Sequence, residues 1–573
     1  MILRKSFATL TLILGFTTLN PALAQLSYGV EHARHHPVFA KNGMVATQEA
    51  HATQVGVDIL KNGGNAIDAA VAIGFTLAVT HPQAGNIGGG GFMLIHTKEG
   101  KTTSIDFREM APEAAFRDLF LNEDGEADAN KSLKSHKAVG IPGTVKGLLY
   151  ALETYGTLPR DEVINPAITL AEEGFPIGKA LSDTLENYAD EVMGSHAASR
   201  AIFYNKERPL HYQEQLIQKD LAQSLKLIRD QGESAFYQGK IAEKIVQEME
   251  RHDGLITLQD LNAYRAIERA PVEGNYKGYT IHSMAPPSSG GIHIIQILNI
   301  LENFDLNALG HNSADSIHIM SEAMKRAYAD RSEYLGDPDF NDVPTHALLD
   351  KQYAKTIADA ISLKTATPSE MIKPGDLTLY ESDQTTHFSV IDAEGNAVAV
   401  TYTLNTNFGT GIVAEGTGIL LNNEMDDFSS KPGVPNVYGL IGGEANAIEP
   451  FKRPLSSMSP TLVTKDGNVV LVTGSPGGSR IITTVLQVIL NTLEYQMNIA
   501  EASSAPRIHH QWLPDYIRVE NGISRDTIDR LKEKGHAVKV EPVMGSTQSI
   551  MKDDNGFYGA SDPRTADDLS LGY

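Results

Sequence analysis

The chain has 573 residues, 41% of them hydrophobic, and a formal charge of −23. That is enough apolar material for a large core, while a surface this acidic opposes non-specific nucleic-acid binding and offers little to anionic lipid. Cysteine is absent, which excludes disulfides, cysteine–zinc sites and a cysteine nucleophile.

The N-terminus reads as a secretory signal peptide, residues 1–24. Arg4 and Lys5 form a basic start, Phe7 to Leu19 an apolar stretch, and Ala22-Leu23-Ala24 a small-x-small cleavage site before Gln25. The apolar run is too short, and too soon broken by Asn20-Pro21, for a membrane anchor. No later run is long enough to span a bilayer, so a soluble periplasmic or secreted protein is expected. Removing the signal takes away two bases and no acids, giving −23 − 2 = −25. His32, His35 and His36 follow without cysteines or suitably spaced carboxylates and read as a leader, not a metal site.

Residues 46–62 carry Val55, Ile59 and Leu60 at helical spacing and stop at Gly63-Gly64. Asn65 can cap the next helix, with Asp68 three residues on. That helix, Ala66 to Val79, is apolar nearly all round and should be buried. Gly88 to Gly91 lack the Lys-Ser/Thr of a phosphate loop and the G-x-G-x-x-G spacing. Close backbone packing before a strand at Phe92–His96 accounts for them. Thr103–Phe107 is a second strand, ending at Arg108. From Gly140 to about Tyr334 the chain is mainly helical, around 143–155, 158–173, 214–231 and 239–251, with a strand at Tyr276–His282. Pro286 to Gly291 is a rigid turn into an apolar helix, 292–303; Ser288 and Ser289 have no general base in a recognisable pattern and read as structural. From about 364 the chain loses periodicity and reads as a mobile segment leading to the Gln384–Thr385 bond.

The next stretch organises the chain. Gln384 to Asp392 and Ala397 to Thr403 are strand-like, and Asp392-Ala393-Glu394-Gly395-Asn396 is turn chemistry. With 393–395 as the loop, Thr385 faces Thr403, and Asn405 follows; a neighbouring choice of loop moves this pairing by one residue. By itself, a threonine-rich hairpin end is also what cross-strand hydrogen bonding produces. Beyond it, Glu424 and Asp427 follow an apolar strand, and Lys431–Gly443 is a Gly/Pro loop with one aromatic, Tyr438. Ser456 and Ser457 are adjacent hydroxyls. Gly477 and Gly478 precede an apolar helix, 480–495, where backbone N–H groups can meet an anion. His509 and His510 have no further ligands at metal spacing. Gly545–Met551 and Tyr558–Arg564 read as paired strands and a turn.

The segments QTTHFSVID, TYTLNTNFGTGI, LNNEMDDF, RPLSSMSPT and TGSPGGSRIITTVLQ, in this order, closely resemble bacterial γ-glutamyltranspeptidases. These are N-terminal-nucleophile hydrolases that cut themselves before a threonine. GGNAIDAAVA, GGGGFML, DFRE, GIPGTVKG and PPSSGG extend the likeness over nearly the whole mature chain. The resemblance implies an α+β fold, a four-layer αββα sandwich with two antiparallel sheets between helical layers. It implies self-cleavage before Thr385 into a large subunit, 25–384, and a small subunit, 385–573, which stay together as a heterodimer.

It also implies roles. Thr385 is the nucleophile and its freed α-amine the base, with a reference pKa of about 7.7–8.0 near working pH. Thr403 orients Thr385, and the N–H groups of Gly477 and Gly478 form the oxyanion hole. Arg108, helped by Ser456 and Ser457, grips the donor's α-carboxylate as a bidentate pair. Glu424 and Asp427 bind its α-ammonium from the other end, Asn405 holds substrate or the loop over it, and Tyr438 closes a lid. Many bacterial relatives carry Gln where this chain has Glu424. The implied reaction moves the γ-glutamyl group of glutathione or related compounds to amino acids, peptides or water, with no metal or organic cofactor. Two alternatives remain. A glutaryl (cephalosporin-type) acylase shares the architecture but has no ammonium for Glu424 and Asp427 to bind. A non-catalytic periplasmic glutathione- or peptide-binding protein would have no use for self-cleavage.

Overall fold

A computed structural model describes residues 36–373, 385–431, 440, 442–541 and 543–573. The expected signal peptide, His32, His35, Gln384 and Tyr438 lie outside the described residues.

Two seven-stranded sheets organise the molecule. The first runs in the order Leu569–Gly572, Met44–Thr47, Thr386–Ile391, Ala397–Thr403, Gly90–His96, Thr102–Phe107, Ile267–Arg269. The second runs Val38–Ala40, Gly556–Ser561, Gln548–Asp553, Asn468–Thr473, Thr461–Lys465, Tyr279–Ser283, Val272–Tyr276. Every neighbouring pair in both is antiparallel. Helices Ala50–Lys61, Ala66–Thr80 and Thr144–Tyr155 cover the first sheet, and Gly290–Leu301 packs on the second beside Ala314–Tyr334 and Ile481–Leu493. This is the expected αββα sandwich.

The hairpin lies near the middle of its sheet, and period-two alternation explains how. Phe388, Val390, Val398, Val400 and Tyr402 join the core beneath the helix Ala66–Thr80. Ile391, Ala397 and Ala399 join the core between the sheets. His387, Ser389 and Thr401 share the second face and satisfy one another there. The His387 ring meets Thr401 Oγ1 at 2.8 Å and Ser389 Oγ at 3.1 Å, and Ser389 Oγ donates to the Gln548 carbonyl of the facing sheet at 2.8 Å. Burial lowers the His387 pKa to about 3, so the ring is neutral.

The helix Ala66–Thr80 is buried along its whole length. It starts in a reciprocal capping box between Asn65 and Asp68. The glycine run packs against backbone, as its sequence suggests. A Cβ on Gly88 would stand 2.0 Å from the Leu420 carbonyl oxygen, on Gly89 2.0 Å from that of Thr403, and on Gly91 2.4 Å from that of Thr401. Only bare backbone lets the strand Gly90–His96 and its approach lie this close to the hairpin.

Two expectations are corrected. The strand read at Tyr276–His282 is a pair, Val272–Tyr276 and Tyr279–Ser283, joined at Lys277 and Gly278, both at positive φ. That is the turn geometry that matches strand twist. The segment from 364 is tied down as far as Ile372. The Ala366 N–H donates to the Lys534 carbonyl (2.7 Å), Lys325 Nζ to the Thr367 carbonyl (2.8 Å), the Thr367 N–H to Glu322 (3.1 Å), the Ser369 N–H to Asp515 (2.8 Å) and Trp512 Nε1 to the Ser369 carbonyl (2.9 Å). Side-chain anchors replaced the periodicity that would have signalled order.

Gly89→Ala should push the Thr403 carbonyl aside and destabilise the protein by about 1–3 kcal/mol or more. Thermal unfolding of the purified variant beside wild type measures this.

Candidate active site

The hairpin register pairs Thr386 with Tyr402, so its continuation sets Thr385 opposite Thr403 at the end of both strands. Both are buried, 5% and 3% exposed. The Thr403 hydroxyl accepts the Asn405 N–H at 2.9 Å. Asn405 sits at φ +78, a left-handed conformation asparagine tolerates, and its side chain donates to the Asn423 carbonyl at 3.0 Å. The turn after the strand is thus locked onto the segment carrying the acids.

Thr385 stands on the wall between two spaces. One is an open cleft of about 770 Å³, bordered by Gln48, Asn407, Gly477 and Ser546. The other is a cavity of about 20 Å³, lined by Arg108, Arg331, Thr403, Asn405, Glu424, Asp427, Ser456, Ser457 and Gly478. The structure therefore gathers in one place every proposed residue that it describes.

Within the small cavity the charges are not at opposite ends, as the sequence suggested, but in contact. Arg108 is fully buried and leaves the end of the strand Thr102–Phe107. Its Nη1 donates to Glu424 Oε1 and its Nη2 to Asp427 Oδ2 at 2.5 Å, while Nε donates to the Pro454 carbonyl at 3.2 Å. Glu109 lies 3.7 Å from Nη1. Buried charges must be paired, and these pair with each other. Burial works against the Arg108 charge, but Glu424, Asp427 and Glu109 outweigh it and raise its pKa. Burial pushes Glu109 up to about 7 against the pull of Arg108. It pushes Glu424 well above the usual carboxylate value, and Glu109 and Asp427 push the same way.

Ser456 and Ser457 are held by the Pro286–Gly291 turn. The Ser456 carbonyl accepts the Ser289 N–H at 2.9 Å and its hydroxyl at 2.8 Å, and the Ser456 N–H donates to the Pro287 carbonyl at 2.9 Å. Ser288 donates to the Met458 carbonyl at 2.7 Å. The structural role read for these serines is what the geometry gives them.

Gly477 and Gly478 have φ of +131 and +51, open to glycine at no steric cost. They open a short turn into the helix Ile481–Leu493. Among the described residues, no acceptor takes the N–H of either. The pair thus offers two backbone donors beside Thr385.

Three contributors were not among the expected site residues. Arg331, on the helix Ala314–Tyr334, donates from Nε to Ser289 Oγ (2.9 Å) and from Nη2 to Ser457 Oγ (3.3 Å), and burial lowers its pKa to about 10. Glu109 sits in the motif but was passed over for its neighbour Arg108. Asn422 bonds the backbone of Gly88 and Gly140, fixing the acidic turn to the glycine strand's approach.

A family model described as gamma-glutamyltranspeptidase matches residues 52–571. The glutathione hydrolase proenzyme of Escherichia coli (strain K12) is 62% identical over 554 residues, covering 96% of each chain. A solved gamma-glutamyltranspeptidase of Helicobacter pylori matches with a TM-score of 0.56 at 48% identity, covering 57% of this chain and 93% of that one. A solved cephalosporin acylase of Bacillus halodurans matches with a TM-score of 0.83 at 29% identity, over 94% of this chain and 97% of that one.

The raised carboxyl pKa values have a sign. Glu109 titrates near 7 when folded and near 4.5 ordinarily, so its contribution to stability is full below about pH 4.5 and lost as pH rises through about 7. Glu109→Gln should leave stability at pH 5 nearly unchanged. At pH 8 it should raise stability by on the order of 1–3 kcal/mol, as read from urea unfolding at the two pH values.

Proposed function

The chain belongs to the gamma-glutamyltranspeptidase family, and from that premise we infer that it is a γ-glutamyltransferase and glutathione hydrolase made as a self-cleaving precursor. The observation that carries the residue assignment is the hairpin register, which sets Thr385 opposite Thr403 on the wall of a cavity lined by Arg108, Glu424 and Asp427.

In the precursor the Thr385 hydroxyl attacks the Gln384 carbonyl. The peptide nitrogen leaves as the Thr385 amine, and an ester takes the place of the amide. Water then hydrolyses the ester, freeing both hydroxyl and α-amine. The products are a large subunit ending at 384 and a small one of 573 − 384 = 189 residues. The Helicobacter pylori chain, matched over nearly its own length yet spanning 57% of this one, supports such a division. The signal sequence supports export to the periplasm or beyond. Among the described residues, no helix is long and apolar enough to cross a membrane.

In the mature enzyme the α-amine takes the Thr385 proton as the oxygen attacks the γ-carbonyl of the donor. The N–H groups of Gly477 and Gly478 receive the oxyanion; losing one such donor typically costs about 3–4 kcal/mol. Thr403 holds the Thr385 hydroxyl in line. The ammonium returns the proton to the departing amine, cysteinylglycine for glutathione. An amino acid, a peptide or water then enters from the open cleft and takes the acyl group.

The head group is read by exchange. A zwitterionic α-amino acid carries both charges complementary to the cavity. Its carboxylate takes over Arg108, with Ser456 and Ser457, and its ammonium takes over Asp427 and the Glu424 carbonyl oxygen, while Asn405 borders the γ-carbon side. Tyr438 serves as the lid. The acylase reading shares the fold, but a glutaryl side chain has no ammonium to offset the carboxyls that would lose Arg108.

Thr385→Ala should stay a single chain with no measurable hydrolysis of a γ-glutamyl anilide, while wild type gives two chains, the smaller beginning Thr-Thr-His-Phe. Intact-mass analysis and N-terminal sequencing decide it, and an uncut wild type under activating conditions would sink the mechanism. Glu424→Gln should change kcat/KM by less than about fivefold, about 1 kcal/mol, because the amide keeps an oxygen for the ammonium and Asp427 keeps its place beside it. A larger loss would show that Glu424 carries charge in the working enzyme.

A further inference from the structure

Away from Thr385, a second constellation of ligand atoms lies where the C-terminal end of the helix Lys240–Arg251 meets the short turn His136–Ala138. Glu248 and His252 are one helical turn apart and face His136 across the junction. His136 Nε2 is 3.0 Å from Glu248 Oε1, and His252 Nε2 is 3.6 Å from the same oxygen. The two imidazoles stack, with centroids 4.6 Å apart and planes at 18°, and a small rotation of the half-exposed His252 ring would bring its nitrogen into line with that of His136. All three ligand atoms lie within 4.8 Å of one another.

We propose that His136, Glu248 and His252 form a binding site for one zinc-class divalent cation. Tetrahedral zinc with bonds of about 2.0–2.1 Å holds its ligand atoms roughly 3.3 Å apart, between the two separations observed. Imidazole and carboxylate donors suit zinc, nickel or copper over magnesium or calcium. Among the described residues no lysine or arginine pairs with this carboxylate, and the nearby Lys137 pairs with Asp253 at 2.6 Å. The His252 side chain is 53% exposed, which leaves an entry path and room for water as a further ligand. The other grouping of this kind, His318, Glu322 and His536, is already committed. His318 Nε2 bonds the Ser362 carbonyl at 2.6 Å, and Lys325 sits 3.2 Å from Glu322.

The site stands behind the acidic turn of the active site. Ser132 Oγ donates to Asp426 Oδ1 at 2.6 Å, and Asn423 Nδ2 to the Leu133 carbonyl at 3.0 Å. A cation would clip the segment that backs this turn to the helix behind it.

The test is Zn²⁺ uptake by the purified, tag-free protein in equilibrium dialysis, wild type beside His252→Ala and Glu248→Gln, with Co²⁺ absorption as the geometric readout. His252 is half exposed, so its variant should fold, and a thermal melt without metal verifies that. The histidines at 32, 35 and 36 are common to all three proteins and cancel in the comparison. The expected result is one more equivalent of tightly held Zn²⁺ in wild type than in either variant, and intense visible Co²⁺ bands of four-coordinate type in wild type alone. Equal Zn²⁺ uptake by wild type and His252→Ala would overturn the proposal, as would Co²⁺ spectra that the substitutions leave unchanged.

Discussion

The antiparallel register between Thr386–Ile391 and Ala397–Thr403 is the constraint on which the rest depends. Because side chains alternate with period two, a slip of one residue would turn Phe388, Val390 and Tyr402 out of their core and bring His387 and Ser389 into it. The apolar face thus enforces the pairing that sets Thr385 against Thr403. The glycine run serves the same register from the other side. Its bare backbone admits the neighbouring strand to within contact of the Thr401 and Thr403 carbonyls.

Around that fixed point the electrostatics follow from burial. Arg108 is wholly enclosed, and a lone guanidinium there would be untenable. Three carboxyls and the carbonyls of Pro454 and Leu455 compensate it. Burial raises Glu109 and Glu424 against the pull of Arg108, and the neighbouring carboxyls push the same way. The result is a cavity that is polar and nearly balanced, with direct ion pairs that a zwitterion can replace one for one. Rigidity comes from uncharged groups. The side chains of Asn405, Asn422 and the serines of the Pro286–Gly291 turn bond the backbone of neighbouring segments and hold the charged side chains by their roots.

Much of this was legible in the chain itself. The turn residues Asp392–Asn396 between two strand-like runs brought Thr385 to within one residue of its place opposite Thr403, and the structure fixes the register. The capping box at Asn65 and the glycine packing were readable for similar reasons: each is a local rule with a steric cause. The resemblance supplied the sandwich layering and the roles at Arg108, Glu424, Ser456 and Gly477. What remained hidden was tertiary. Arg331 lies on a long helix with nothing in its neighbours to mark it, and Glu109 looks like any acid beside an arginine. The direct contact of Arg108 with both acids could not be read from residues more than three hundred positions apart. The anchoring of Ser362–Ile372 depends on Lys325, Trp512 and Lys534, from three separate elements, and leaves no periodic trace.

The central hairpin also gives the molecule a history. As an uncut chain it folds in a first-order process, with strands from both halves held at high effective concentration by their covalent link. Under the proposed cleavage before Thr385, the strand Thr386–Ile391 still lies between Met44–Thr47 and Ala397–Thr403, but its connection to the first half is gone. A mature molecule that unfolds can recover only by a second-order encounter of two polypeptides, slower with every dilution. The strap at Ser362–Ile372, bonded to both halves, and the interleaved sheets therefore act as a one-way latch. Persistence of the two-chain form is set by how slowly it opens, not by how readily it would form again.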